Sequence, residues 1–247
     1  GRIAAQTAKQ VIIQGIREAE RGIIYQEFNS KEHEILTGVV SRIEPRNGSV
    51  TIRISSNSEY TEAMLPAGER IKGEALKEGD RIKVYVVEVK NGGKGPQVLI
   101  SRTHPGLVKK LFELEVPEID DGTVEIKSIA REAGSRTKIA VMSTDADIDP
   151  IGSCVGPKGG RVADIVDELG GEKIDIIKYS DIPEEYIAAA LAPSEVVSVT
   201  MSEDGKSSRV IVPDSQLSLA IGKEGQNARL AARLTGFKID IKPESEA

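Results

Sequence analysis

Two short stretches decide the fold: VGPKGGRV at residues 155–162 and IGKEGQNA at residues 221–228. Each has an apolar residue, a glycine, two variable residues and a second glycine, followed by the start of an amphipathic run. The first glycines, Gly156 and Gly222, lie 66 positions apart. The same loop at the spacing of a small domain predicts an internal repeat.

The segments around the two loops repeat in the same order. Each copy opens with a helical pattern and continues with two strand patterns, a helix, the glycine loop and a second helix. Each closes with a similar strand, EKIDIIKYS at 172–180 and FKIDIKPES at 237–245. The copies differ in length by one residue, at Gly170-Gly171. The order helix, strand, strand, helix, helix, strand therefore occurs twice, which outweighs any single motif.

The part before the repeat has a different character. Residues 3–28 carry apolar side chains at helical spacing and predict one long helix. Residues 34–102 contain short alternating runs with an Asn47-Gly48 hairpin turn. Five short strands in about 70 residues predict a small closed barrel.

The glycine loops predict a clamp for a phosphate backbone. The helix after the first loop is expected to begin near Gly159, and its first N–H groups have no partner within the helix. Glycine permits a tight turn and a close approach of the ligand. Lys158 and Lys223 add one cation per loop, and Arg161 and Arg229 follow one turn later. The competing interpretation, a plain corner between helices, explains one such loop better than it explains two.

These motifs resemble a known family. IGSCVGPKGGRV and LAIGKEGQNARLAARLTG are similar to the GxxG segments of KH RNA-binding domains, in the bacterial form of that fold, and residues 34–102 resemble an S-one-type OB RNA-binding domain. With AAQTAKQVIIQGIREAE before the barrel and SRTHPGLVKKLFELEVPEI after it, the whole chain resembles the NusA family of bacterial transcription elongation, termination and antitermination factors.

The resemblance implies an α+β multidomain protein with a linker helix, a five-stranded OB barrel and two KH domains in tandem. It implies the following boundaries: linker helix 1–30, OB domain 31–104, first KH domain 105–181 and second KH domain 182–247. The linker helix is expected to lead from an N-terminal domain that precedes this chain and docks on RNA polymerase.

The same resemblance implies a function for the loops. The chain is expected to bind nascent single-stranded RNA and to affect pausing, termination and antitermination, with RNA polymerase and other antitermination factors as partners. The residues expected to contact RNA are Gly156, Pro157, Lys158, Gly159, Gly160 and Arg161 in the first copy, and Gly222, Lys223, Glu224, Gly225, Gln226, Asn227 and Arg229 in the second.

Two features depart from the family pattern. Ile52 and Ile54 stand where OB domains of this class often carry base-stacking aromatics, and only Tyr60 and Tyr85 lie nearby. We therefore expect the barrel to contribute less than the KH pair. Glu224 places a negative charge inside the second loop, which predicts either a weaker clamp or one that relies on backbone N–H groups and Asn227.

Composition narrows the classes of function. Cys154 is the single cysteine, so an internal disulfide is excluded and a cytoplasmic location is expected. No apolar run approaches the roughly 20 residues that span a bilayer. His33 and His104 lack neighbouring ligands in the sequence, so we expect no metal site, no cofactor and no catalytic residues. The net charge of −6 argues weakly against nucleic-acid binding, so RNA binding must rest on local geometry.

Two other functions stay open at this point. KH and OB domains also form the RNA-binding tail of exoribonucleases, although no paired carboxylates with a basic groove are visible in this sequence. A ribosome-assembly protein could use the same fold for protein contacts. A footprint on RNA, or phosphate-dependent nuclease activity, would separate these functions.

The second copy carries an apolar pair that the first copy lacks. Leu230 and Leu234 lie one turn apart on its last helix, where the first copy has Asp164 and Glu168. The connection KYSDIPEEY between the copies contains no glycine. We therefore expect this pair to pack against a neighbour and the two KH domains to behave as one body. Separately, we expect the chain to be monomeric.

Overall fold

The computed structural model describes residues 2–56, 59–93 and 95–247. The chain divides into two compact units, residues 1–107 and 108–247, and each unit is described by itself.

The first unit contains one long helix and a five-stranded antiparallel barrel. The strand order is β3-β2-β1-β4-β5, and β3 lies beside β5 at the seam, so the barrel is nearly closed. The elements of this unit are α1 (Arg2–Asn29), β1 (Ile35–Ile43), β2 (Val50–Ser56), β3 (Glu59–Leu65), β4 (Arg81–Gly92) and β5 (Gly95–Ser101). The predicted helix and the predicted OB barrel are both present.

The end of α1 packs on the barrel, while its middle is exposed. Phe28 is buried in the barrel core, and Ile24 and Tyr25 pack against that core. Further back on the helix, Val11 and Ile12 are exposed. The helical spacing of the apolar residues is therefore correct, and among the described side chains of the helix those of its last turns pack on the barrel core.

The structure corrects the assignment of the two isoleucines on β2. Ile52 and Ile54 are completely buried in the barrel core, so they do not stand on the face where a base could stack. Arg53, between them, points outward and is exposed. Its guanidinium lies 5.1 Å from the ring centroid of Tyr60, which is 60% exposed. The outer face of β2 and β3 therefore does carry an aromatic ring.

The chain's two histidines meet on one tyrosine. The ring of His104 stacks on Tyr85 at a centroid distance of 4.5 Å, and the ring of His33 lies 6.3 Å from the same tyrosine. Tyr85 is buried on β4. The stack joins the segment after α1 and the segment after β5 to the same strand.

The second unit contains both KH copies apart from residues 105–107, and the strand–strand–helix–loop–helix–strand part has the same order in each copy. In the first copy the elements are α2 (Pro105–Glu115), α3 (Pro117–Asp120), β6 (Val124–Glu132), β7 (Arg136–Ser143), α4 (Pro150–Val155), α5 (Gly160–Glu168) and β8 (Lys173–Lys178). Asp149 caps α4, because its Oδ1 accepts a hydrogen bond from the N–H of Ile151.

The second copy repeats this order with a single helix in place of α2 and α3. Its elements are α6 (Pro183–Ala190), β9 (Ser198–Met201), β10 (Ser207–Val212), α7 (Leu217–Ile221), α8 (Gln226–Thr235) and β11 (Lys238–Pro243). In both copies the middle strand pairs antiparallel with the strand before it and parallel with the strand after it. The predicted order of elements is therefore confirmed in both copies.

Helices α6 and α8 of the second copy lie between the two sheets. Helix α8 contacts β6 and β7 of the first copy as well as β11 of its own. Leu230 and Leu234 belong to a buried cluster that includes Ala140 and Ile177 of the first sheet and Val210 of the second. The predicted packing of this leucine pair on a neighbour is confirmed. Each fully buried leucine contributes about 1.5–3 kcal/mol.

Polar contacts also join the two copies. The Lys138 ammonium is buried, donates to the Ala192 carbonyl at 2.7 Å and pairs with Asp175 at 2.9 Å. The Ser128 hydroxyl donates to the Leu234 carbonyl at 2.8 Å. These contacts fix the second copy on the sheet of the first.

Candidate nucleic-acid interface

The two glycine loops have the same backbone conformation. In the first loop Gly156, Lys158 and Gly159 have φ values of 76°, 55° and 71°. Their equivalents in the second loop, Gly222, Glu224 and Gly225, have φ values of 79°, 56° and 77°. In each loop the N–H of the second glycine donates to the carbonyl of the first, at 3.0 and 3.1 Å.

Only glycine fits the first position of either loop. A Cβ on Gly156 would lie 2.4 Å from Cγ of Arg161, and a Cβ on Gly222 would lie 2.7 Å from the backbone nitrogen of Asn227. The left-handed backbone at Lys158 and Glu224 is costly for residues with a side chain. Such conformations cluster at functional sites, and here the same strained position occurs in both loops.

Each loop ends at the start of a helix that has no side-chain cap. Gly159 precedes α5 and Gly225 precedes α8, and neither helix start receives a side-chain hydrogen bond. The first N–H groups of a helix carry partial positive charge and attract anions. The predicted start of the helix near Gly159 agrees with the observed first residue, Gly160.

The two loop lysines occupy different positions. Lys158 is exposed at the left-handed third position of its loop, together with exposed Pro157. Lys223 is exposed at the second position, and exposed Glu224 takes the left-handed place. The first loop therefore presents a cation where the second loop presents an anion.

The arginine that follows each loop forms hydrogen bonds within the protein, to a glutamate and to a backbone carbonyl. The Arg161 guanidinium donates to Glu118 at 2.9 Å and to the Ser153 carbonyl at 2.7 Å. The Arg229 guanidinium donates to Glu132 of the first copy at 2.7 Å and to the Glu224 carbonyl at 3.0 Å. Both predicted arginines therefore lie beside their loops, and each is held by a glutamate.

The ion pair between Arg229 and Glu132 shifts the pKa of the glutamate. The hydrogen bond from Arg229 lowers the pKa of Glu132, although partial burial opposes this shift. Glu132 therefore stays ionised at a lower pH than a glutamate without this partner. Its partner is 97 positions away along the chain, which no local sequence pattern could indicate.

Two further predicted residues follow the second loop and differ in accessibility. The Asn227 side chain is buried, and its amide nitrogen donates to the carbonyls of Leu191 at 3.0 Å and Ala220 at 2.9 Å. The Gln226 amide donates to the Ser135 hydroxyl of the first copy at 2.7 Å. The Asn227 amide therefore has a structural role, whereas Gln226 lies at the surface between the copies.

The cysteine and the metal-ligating residue types offer no alternative site among the described residues. Cys154 is buried, and burial raises the pKa of its thiol to about 12, with Glu118 adding to the effect, so the thiol is not activated. Within residues 2–56, 59–93 and 95–247, no group of three His, Cys, Asp or Glu side chains has a geometry that could hold a metal ion. The same residues include no helix long and apolar enough to cross a bilayer.

Comparison with known proteins shows that the segments containing both loops match models of known domains. Residues 102–179 match the NusA-like first KH domain, residues 183–247 match the NusA-like second KH domain, and residues 1–22 match the NusA N-terminal domain. The chain is 52% identical over 248 aligned residues to the transcription termination/antitermination protein NusA of Mycobacterium bovis. The alignment covers 99% of this chain and 72% of that protein.

The chain belongs to the NusA family. It is 60% identical to the NusA protein of Halalkalibacterium halodurans and 59% identical to that of Bacillus subtilis, over its whole length in both cases. It spans 63% and 65% of those two relatives. The family resemblance of the sequence is thereby confirmed, together with the tandem KH fold.

Proposed function

We propose that this chain is the single-stranded RNA-binding part of a NusA-family transcription factor, and that both glycine loops hold the RNA backbone. The observation that carries the proposal is the repeated loop. Two loops share one strained conformation, and each ends at an uncapped helix start beside an exposed lysine. A corner between helices requires none of these features twice.

The contacts with RNA fall into two groups. Lys158 and Lys223 supply charge, and the backbone N–H groups after Gly159 and Gly225 supply donors to phosphate oxygens. Arg161 and Arg229 keep the loops in shape through their glutamate partners, so their contribution to RNA binding is indirect. In the second loop Glu224 opposes phosphate, which makes this loop the weaker of the two.

The footprint follows from the arrangement of the copies. A KH domain clamps about four nucleotides. The second copy is fixed on the first by the Leu230 and Leu234 cluster, so both glycine loops belong to one body. We therefore propose an extended footprint of about eight to ten unpaired nucleotides.

The partners of the whole protein are part of the same proposal. The relatives are transcription termination/antitermination proteins, and the match of residues 1–22 to the family's N-terminal domain supports a polymerase-docking part before the barrel. We propose that RNA polymerase and other antitermination factors are its partners. We also propose that it acts as a cytoplasmic monomer without enzymatic activity, with KH domains at 105–181 and 182–247.

The loops are tested by reversing their charge. In the variant Pro157→Asp with Lys158→Asp, we expect the affinity for a labelled single-stranded RNA to fall at least tenfold, which is about 1.4 kcal/mol. The reason is that a charge-assisted contact is lost and two carboxylates face the phosphates. The slope of log affinity against log salt should become shallower by about 0.7 for each lost contact.

Matched variants separate loop chemistry from net charge. Lys223→Asp with Glu224→Asp should cost less, because that loop is already partly acidic. Lys206→Asp, in the exposed turn between β9 and β10, should leave the affinity nearly unchanged. Circular dichroism checks that each variant is folded. A folded first-loop variant with the affinity of the original chain would overturn the proposal.

A further inference from the structure

A cavity of about 490 Å³ lies between the second glycine loop and the sheet of the first copy. The first copy contributes the turn between β6 and β7 and the start of β8, with Ser135, Arg136 and Lys173 among its walls. The second copy contributes the end of α7 and its glycine loop, including Leu219 and Lys223. Small-molecule sites typically have volumes of about 300–1,000 Å³, so one nucleotide fits this size class.

The charges of the cavity suit phosphate. Arg136, Lys173 and Lys223 all line it, whereas Glu224 is not among its walls. The first copy therefore adds two cations to a loop that has one lysine and one glutamate of its own. Three cations from two copies converge where the second loop alone is electrically neutral.

The walls of the cavity are held in place. The Arg136 guanidinium pairs with Asp175 at 2.9 Å, and this ion pair holds the side chain at the cavity. The hydrogen bond of 2.7 Å between Gln226 and Ser135 joins the two rims. Because the copies are also joined by their buried cluster, the cavity exists before any ligand binds.

The cavity also has an apolar wall for a base. Leu219 is 44% exposed there, and Pro193 lies in the same lining. The first copy has Ser153 at the position of Leu219. Apolar and aromatic side chains beside a few directed polar groups are the usual composition of a ligand site.

We propose that this cavity is a nucleotide subsite shared by the two copies, in which Arg136 and Lys173 of the first copy complete the phosphate clamp of the second loop and Leu219 contacts the base. The inference rests on the proposed RNA-binding function. It explains how a loop with an acidic residue contributes to binding, and it assigns residues outside both GxxG motifs.

The test uses two equivalent lysines. Lys173 begins β8 and Lys238 begins β11, both within the sequence KID, and both are exposed. Only Lys173 faces the other copy's loop across the cavity. In the complete chain we expect Lys173→Glu to weaken binding of a fluorescent mixed-sequence RNA of about ten nucleotides roughly tenfold, with a salt slope shallower by about 0.7.

The matched variants decide the outcome. Lys238→Glu should change the affinity less than twofold, Lys173→Arg should retain most of it, and Leu219→Ala should weaken binding without altering the salt slope. Equal losses for Lys173→Glu and Lys238→Glu would overturn the shared subsite, because they would indicate a general charge effect. Full affinity of Lys173→Glu, with the first-loop variant still impaired, would overturn it while leaving the proposed function intact. If the unaltered chain bound no RNA, the proposed function itself would fail.

Discussion

The sheet of the first KH copy is covered on both faces, whereas the sheet of the second copy is covered on one. Helices α4 and α5 lie on one face of the first sheet, and α6 and α8 of the second copy lie on the other. On the second sheet, the face away from its own helices carries exposed Thr200, Arg209 and Asp240. The same fold therefore serves once as an inner layer and once as an outer layer.

A few side chains make this difference. Ala140 and Ile177 are buried against the second copy's helices, and the equivalent positions on the second sheet hold Ile211 and Lys242, neither of which is fully buried. A polar outer face on the terminal unit is what ends a stack of repeats in solution. Two copies that share a fold thus differ in whether a further layer can be added.

The largest expected effect comes from removing a leucine at the shared layer. Leu230→Ala should lower the free energy of unfolding of the second unit by about 2–5 kcal/mol, because a fully buried side chain leaves a cavity between two sheets. At the equivalent place in the first copy, Asp164→Ala should change stability by less than about 0.5 kcal/mol, since Asp164 is exposed. Urea unfolding followed by circular dichroism measures both.

The same experiment tests whether the copies form one body. If the shared layer unites them, Leu230→Ala should shift a single unfolding transition of the second unit rather than split it. Separate transitions of the two KH copies in the unaltered chain, with only that of the second copy affected by the substitution, would contradict the description of the helices as common to both sheets.

A smaller effect is expected at a pair of equivalent cations. Lys138 on β7 is buried and bonded to Asp175 and to the Ala192 carbonyl, whereas its equivalent on β10, Arg209, is exposed. Lys138→Met should cost about 2 kcal/mol, because it removes charge-assisted hydrogen bonds and leaves a carbonyl unpaired. Arg209→Met should stay within about 0.5 kcal/mol.

Thermal unfolding of these two variants sharpens the comparison. Burial lowers the pKa of the Lys138 amine, although Asp175 opposes the shift, so desolvation works against the charged form at this site. If Lys138→Met were as stable as the original chain, the polar contact would add nothing to the apolar layer. Equal losses in both variants would show that the two sheets are not distinguished at this position.

Local patterns in the sequence were sufficient to predict most of the fold. The repeat, the order of elements and the start of the helix after the first loop could all be read from glycine spacing and apolar periodicity. Alternation also showed that Ile52 and Ile54 share one face of their strand. It could not show which face, because the direction is set by closure of the barrel around Phe28 and the other core residues.

The candidate site was less predictable, because its contacts join distant positions. Arg161 and Arg229 were expected to face RNA, but their glutamate partners lie 43 and 97 positions away. The shared cavity joins Lys173 to the second loop through the packing of two whole copies. Residues from the two copies come together at this cavity only in the folded chain, where the second copy packs on the sheet of the first.

The smallest expected effect concerns the ion pair between the copies. Arg229 and Glu132 bridge the second loop to the first sheet at 2.7 Å, whereas Arg161 and Glu118 form their pair of 2.9 Å within the first copy. Double-mutant cycles with Glu132→Gln and Arg229→Gln should give a weak favourable coupling, because exposed pairs gain little over water. The coupling should shrink further in high salt.

The pH dependence of this coupling has a definite sign. The pKa of Glu132 is lowered in the folded protein by its bond to Arg229, so the folded state binds fewer protons than the unfolded state in the acidic range. The stabilisation is therefore fully present above the ordinary pKa of 4.5 and is lost as the pH falls through the lowered value. Coupling energies from urea unfolding at several pH values between about 3 and 7 check this course. A coupling that stayed constant as Glu132 became protonated would mean that Arg229 is held by the Glu224 carbonyl rather than by the first copy.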